Sequence, residues 1–221
     1  MKTIIVNCKN YPEVMGEGSV RLALAVKRAA DSLGVEAIIA PPAPMLALVA
    51  SRTKALVYSQ AVAGKTGDKT TGYILPEAVK AAGASGTILN HSESRRPWTE
   101  LSRLVPRLVS MEMGVCLCAQ TSQESAKLAS LGPKYVAIEP PELIGTGVAV
   151  SKAKPELIQR TVSAVRKSGF GGKILCGAGI VSGEDARRAV ELGTDGVLVA
   201  SSVVKSADWE GKIRELAGSL S

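Results

Sequence analysis

The chain has 221 residues, 46% of them hydrophobic and only 3% aromatic, with 27 basic against 20 acidic side chains for a net charge of +7. That length suits one large α/β domain or two small ones, with a core built from Val, Ile, Leu and Ala. Membrane, nucleic-acid and metal-binding roles are not expected: no apolar run approaches the ~18 residues that span a bilayer, Lys and Arg are dispersed without interleaved aromatics, and four cysteines with one histidine form no zinc pattern.

Eight short apolar runs read as strands. The first is TIIVNC (3–8), and GSVRLALAVKRAADSLG (18–34) follows it with helical spacing and a terminal glycine. VEAIIA (35–40), KALVYSQ (54–60), GTILN (86–90) and GVCLCA (114–119) come next, all continuously apolar or β-branched, as strands buried on both faces are. TSQESAKLASLG (121–132) opens like a capped helix with Glu124 in its first turn, and KYVAIE (134–139) is the sixth strand. KPELIQRTVSAVRKSG (154–169), with Pro near its start, and SGEDARRAVELG (182–193), with a capping serine and early acids, read as helices. The strands KILCG (173–177) and GVLVA (196–200) each follow one of them. Strand and helix in alternation leave a doubly wound open sheet or a closed (β/α)8 barrel. Eight units in so short a chain favour closure, with residues 1–221 as a single domain. No G-x-G-x-x-G follows the first strand, so a dinucleotide cofactor is not expected.

A barrel carries its chemistry at the C-terminal strand ends. Strand 1 ends in Asn7-Cys8-Lys9, and extended spacing puts Asn7 and Lys9 on one face with Cys8 on the other. The only histidine, His91, stands just past strand 4, where a packed or solvated loop residue is the plain alternative to a catalyst. A helical turn beginning in Ser92-Glu93-Ser94-Arg95 would favour its neutral form. Strand 6 ends in Glu139, followed by a hinged stretch with Gly145 and Gly147. The small residues in CGAG (176–179) and VASS (199–202) would let main-chain N–H groups approach an anion, although tight βα turns use them too.

In this order, N-x-K, H-S-E, E-P with I-G-T-G, and small residues after strands 7 and 8 resemble the triosephosphate isomerase family over essentially the whole chain. Gln60 and the TGY at 71–73 add to the likeness; the short length, EPPELIGTG and the Ala200-Ser201 pair resemble its archaeal branch. Asn90 stands where family members elsewhere usually have glycine. The resemblance implies a cofactor-free and metal-free isomerisation of dihydroxyacetone phosphate and D-glyceraldehyde 3-phosphate in glycolysis and gluconeogenesis. Glu139 would be the base, His91 the electrophile, Lys9 and Asn7 the groups on the substrate oxygens, and Glu93 a supporting acid. Main-chain groups of Ile144, Gly145, Gly179, Ala200 and Ser201 would hold the phosphate under a lid spanning roughly 140–150. The resemblance further implies a cytoplasmic homo-oligomer, a tetramer rather than a dimer, with Thr71 reaching a neighbouring subunit. Other phosphate-binding barrels and a basic scaffolding barrel are the competing readings; Lys9, His91 and Glu139 together argue against both.

Overall fold

The computed structural model describes residues 1–140 and 154–220. Eight parallel strands close in sequence order: β1 (Thr3–Asn7), β2 (Glu36–Ala40), β3 (Leu56–Ser59), β4 (Gly86–Leu89), β5 (Gly114–Ala119), β6 (Tyr135–Ile138), β7 (Lys173–Cys176) and β8 (Gly196–Val199), the last pairing back onto β1. The open-sheet alternative is thereby excluded. Residues 8, 90, 139, 177 and 200, which the apolar pattern assigns to strands, lie just beyond the ladders. They are the first residues of the βα loops.

The four helices expected from the sequence form, the first shifted back by one residue and the others trimmed at their ends: α1 (Glu17–Leu33), α5 (Ser122–Ala129), α6 (Pro155–Lys167) and α7 (Gly183–Glu191). Gly34 ends α1 in a left-handed conformation, Thr121 caps α5 by accepting the Glu124 N–H, and Ser182 with Asp185 makes a capping box on α7. Helices α2 (Leu46–Arg52), α3 (Pro76–Ala81), α4 (Trp98–Ser110), α8 (Ser201–Val204) and α9 (Trp209–Gly218) were not marked by the sequence pattern. All but α4 and α9 are seven residues or fewer, and α4 carries Pro106 in its interior.

Strand alternation sorts side chains into two layers. Ile5, Ile38, Tyr58, Ile88, Cys116, Cys118, Ala137, Leu175 and Leu198 point into the barrel. Their neighbours, such as Val6, Ile39, Val57, Leu89, Val115 and Val197, pack outward against the helices. The interior is not purely aliphatic, as the composition suggested. Tyr58 and Tyr135 meet edge to face at 6.2 Å near its floor. The Tyr58 ring fills space left by Gly86 and Gly114, where any Cβ would overlap it. Below them, the half-buried Glu36 carboxylate accepts from Thr3 Oγ1 and Tyr135 Oη, both at 2.8 Å, and pairs with Lys134 and Lys173 at 2.9 Å. Where the barrel closes, Gly196 (φ 155°) lies so near Thr3 that a Cβ would stand 1.9 Å from the Thr3 carbonyl oxygen.

Candidate active site

At the end of β1 the chain turns sharply. Lys9 takes a left-handed conformation (φ 45°), and the Asn7 side-chain oxygen accepts its N–H at 3.0 Å. Gln60 Nε2 donates to the Lys9 carbonyl at 2.7 Å and to the Ala40 carbonyl at 3.1 Å. Extended spacing therefore gives Lys9 the right end of the barrel for the wrong reason: a stapled turn places it, with Gln60 as a support that sequence reasoning left without a role. Its signal was available, since Gln60 continues the inward register of Tyr58. The Lys9 ammonium reaches Glu93 Oε1 at 2.6 Å.

After β4, Ile88 faces inward and Leu89 outward. Continued alternation would send residue 90 inward and residue 91 out among the helices. Instead Asn90 adopts φ 60° and His91 turns into the mouth of the barrel. The Glu93 N–H donates to His91 Nδ1 at 3.2 Å, and the Ser94 N–H donates to the His91 carbonyl at 2.8 Å. In the neutral ring the proton then sits on Nε2. Burial, with the Lys9 charge nearby, holds His91 below its usual pKa, against an opposing pull from Glu93. The helical turn expected at Ser92–Arg95 is an isolated turn, and α4 begins only at Trp98. What favours the neutral ring is burial and one aimed N–H, not a helix terminus.

Glu139 follows the inward register of Tyr135 and Ala137 and is buried at the mouth. Burial pushes its carboxyl up to about 7, with the Cys118 thiol and Lys9 pulling it back in part. Oε1 stands 3.7 Å from His91 Nε2, while among the described residues Oε2 has no hydrogen-bond partner. Gly177 is packed against it: a Cβ there would lie 2.6 Å from Glu139 Cγ. The first small residue of the loop after β7 thus makes room for the carboxylate.

Asn7, Lys9, His91, Glu139, Gly179, Ala200 and Ser201 line a single cavity of about 200 Å³. Glu93 stands at its rim, its side chain 60% exposed. Ile144, Gly145 and all but the first residue of the lid expected at roughly 140–150 lie outside the described residues. Tyr11, which the sequence did not single out, also lines the cavity, its ring beneath the Lys205 ammonium at 4.9 Å. The cavity offers a carboxyl that ionises near neutral pH, a neutral imidazole aimed as a donor, and an ammonium. That set can take a proton from carbon beside a carbonyl and stabilise the oxyanion that results.

A sequence profile of the triosephosphate isomerase family matches residues 2–216. The triosephosphate isomerase of Caldivirga maquilingensis is 44% identical over 217 residues, covering 98% of this chain and 96% of the relative. That of Cenarchaeum symbiosum is 45% identical over 218 residues, with 99% and 97% covered. That of Methanothermus fervidus is 41% identical over 213 residues, with 96% of each chain covered. The relatives matched are mostly archaeal.

Proposed function

The chain belongs to the triosephosphate isomerase family, and from that premise we propose that Glu139, His91 and Lys9 carry the family's reaction on it. That reaction interconverts dihydroxyacetone phosphate and D-glyceraldehyde 3-phosphate, a step of glycolysis. Glu139 removes the proton from the carbon beside the carbonyl. As the electron pair moves to oxygen, His91 Nε2–H donates to the growing oxyanion and Lys9 supplies positive charge. Glu139 then returns the proton to the neighbouring carbon, so aldose and ketose exchange through an enediolate. Asn7 holds the turn that presents Lys9, and Glu93 both presents its N–H to His91 and pairs with Lys9.

The observation that carries this reading is the pairing of a buried carboxyl raised to about 7 with an imidazole whose Nδ1 is already occupied. The phosphate rests on main-chain N–H groups at Gly179, Ala200 and Ser201, joined by Ile144 and Gly145 when the 140–150 segment closes and excludes water from the enediolate. The reading treats residues 1–221 as one working domain and places it in the cytoplasm. Four buried free cysteines support a reducing compartment, and among the described residues no helix is long and apolar enough to cross a membrane. It also assigns a homo-oligomer, a tetramer, through surfaces that include the loop bearing Thr71 and the exposed Tyr73 and Ile74; sedimentation of a monomer at micromolar concentration would refute that part.

A coupled assay with D-glyceraldehyde 3-phosphate tests the chemistry. Turnover needs no added metal or nucleotide. Glu139→Gln should lose about 10²–10⁴-fold in kcat, and His91→Gln about 10²-fold or more. Wild-type rates in both variants would show that these residues do not do the chemistry.

A further inference from the structure

We infer that Asn90 is a positioning residue for the imidazole of His91: its left-handed backbone turns the histidine into the cavity, and its side-chain amide locks that turn in place. The inference rests on the proposed role of His91. Asn90 is buried and sits where strand alternation has to be broken for His91 to face the mouth. Few side chains tolerate φ 60°, and asparagine is one of them.

Its amide has partners at both ends. Nδ2 donates to the Cys118 carbonyl on β5 at 2.9 Å and faces Glu124 Oε1 at 3.4 Å. Oδ1 accepts the Arg96 N–H at 3.0 Å. Two acceptors on one side and a donor on the other fix which end of the amide is which. The Asn90 carbonyl accepts from Arg95 Nη1 at 3.2 Å, and Arg95 is also ion-paired with Glu124 in the first turn of α5. One side chain therefore ties the residue before His91 both to the neighbouring strand and to the approach to α4. Glycine would give the same turn with neither tie. Aspartate would keep the acceptor but lose the donor. A donor aimed at a developing oxyanion works through its geometry, so slack at residue 90 costs turnover before it costs binding.

The test compares Asn90→Gly, Asn90→Asp and His91→Gln in steady-state kinetics. It adds the ¹⁵N spectrum of the imidazole, which reports one residue because the chain holds one histidine. Asn90→Gly should lower kcat about tenfold with KM for glyceraldehyde 3-phosphate changed less than about twofold. Its two nitrogen shifts should move toward each other as the fixed Nε2–H tautomer gives way to exchange. Asn90→Asp, which keeps the tie to Arg96, should lower kcat in the same direction and serves if the glycine variant does not fold. Unchanged kcat and unchanged nitrogen shifts in a folded variant, with His91→Gln slow, would overturn the inference alone. A fast His91→Gln would overturn the role of His91 and the inference with it.

Discussion

His91 Nε2 faces Glu139 Oε1 across 3.7 Å, while the Nδ1 of the same ring accepts the Glu93 N–H at 3.2 Å. The first distance is too long for a hydrogen bond and the second is not. The imidazole is thus held by its rear nitrogen, and the ring lines the cavity. The two groups can address different atoms of one small molecule.

With Glu139 as the proposed base, the acid side of the pH–rate profile should follow its carboxyl. With its carboxyl raised to about 7, kcat/KM should rise with pH through about 7 and then level off, since only the ionised form is a base. A limb at about 6 instead would report ionisation of the substrate phosphate. Burial holds His91 below its usual pKa, so its own titration is moved to the acid side of that limb. Stability runs the other way. The carboxyl's pKa lies above its ordinary 4.5, so the folded state holds a proton that the unfolded chain releases. That stabilisation is complete below 4.5 and disappears as pH rises through about 7. Glu139→Gln should therefore gain on the wild type between pH 4 and pH 8, by up to roughly 3 kcal/mol in urea titrations.

Gly177→Ala should damage catalysis without removing a polar group. The new Cβ would lie 2.6 Å from Glu139 Cγ and 3.0 Å from Oε1, so the base has to move. We expect kcat to fall about 10²-fold while KM stays within about threefold, a pattern of misaligned chemistry. A variant as fast as the wild type would mean that Glu139 does not work from the position described here.

Lys9 and Glu93 are partners of unequal weight. The Lys9 side chain is 19% exposed and lines the cavity; the Glu93 side chain is 60% exposed at the rim. Lys9→Met should cost about 10²–10³-fold in kcat/KM, as loss of a charge-stabilising donor does. Glu93→Gln keeps the N–H that serves His91 and weakens a solvent-screened pair, so it should cost less than about tenfold. The reverse ranking in kinetics would mean that turnover depends on Glu93 more than on the charge of Lys9.

That Asn7, Lys9, His91 and Glu139 would meet in one cavity was legible in the sequence because all four fall at strand ends. An apolar run that stops at Glu139, or at Asn7 with Lys9 just beyond, marks a place as well as a residue type. Eight such runs with helical stretches between them also carried the closed barrel. Turns were not legible. The positive φ of Lys9 and of Asn90 decides where Lys9 and His91 point; lysine gives no sign of it, and asparagine permits it without requiring it. Gly177 looked like part of an anion cradle because spacing cannot show that its neighbour in space is a carboxylate. Helix α4 was hidden by Pro106, although Leu101, Leu104, Val105 and Leu108 keep helical spacing and are buried.

Glu36 should matter to stability alone. Burial by itself would raise its carboxyl, but hydrogen bonds from Lys173, Lys134, Thr3 and Tyr135 outweigh that and bring it down to about 2. A depressed carboxyl stabilises the fold above its ordinary 4.5 and loses that contribution as pH falls through about 2. Glu36→Gln should destabilise the fold at pH 7 and progressively less in acid, read as urea midpoints, by less than the full shift implies because solvent screens the pairs. Because Glu36 lies at the barrel floor, kcat and KM should not change.

The seam between β1 and β8 also imposes an order in time. Lys2 donates to the Thr194 carbonyl across 192 residues of chain, and Thr3 to Val6 find their second neighbours only in β8. Of the eight barrel strands, β1 is made first and is the last to be enclosed, and it waits with one edge unpaired while the six between it and β8 arrive. Non-local pairing of this kind slows folding and leaves an edge open to other chains. Ribosome-bound chains halted before Gly196 should exchange the amide protons of Thr3–Asn7 rapidly, and chains extended past Val199 should protect them.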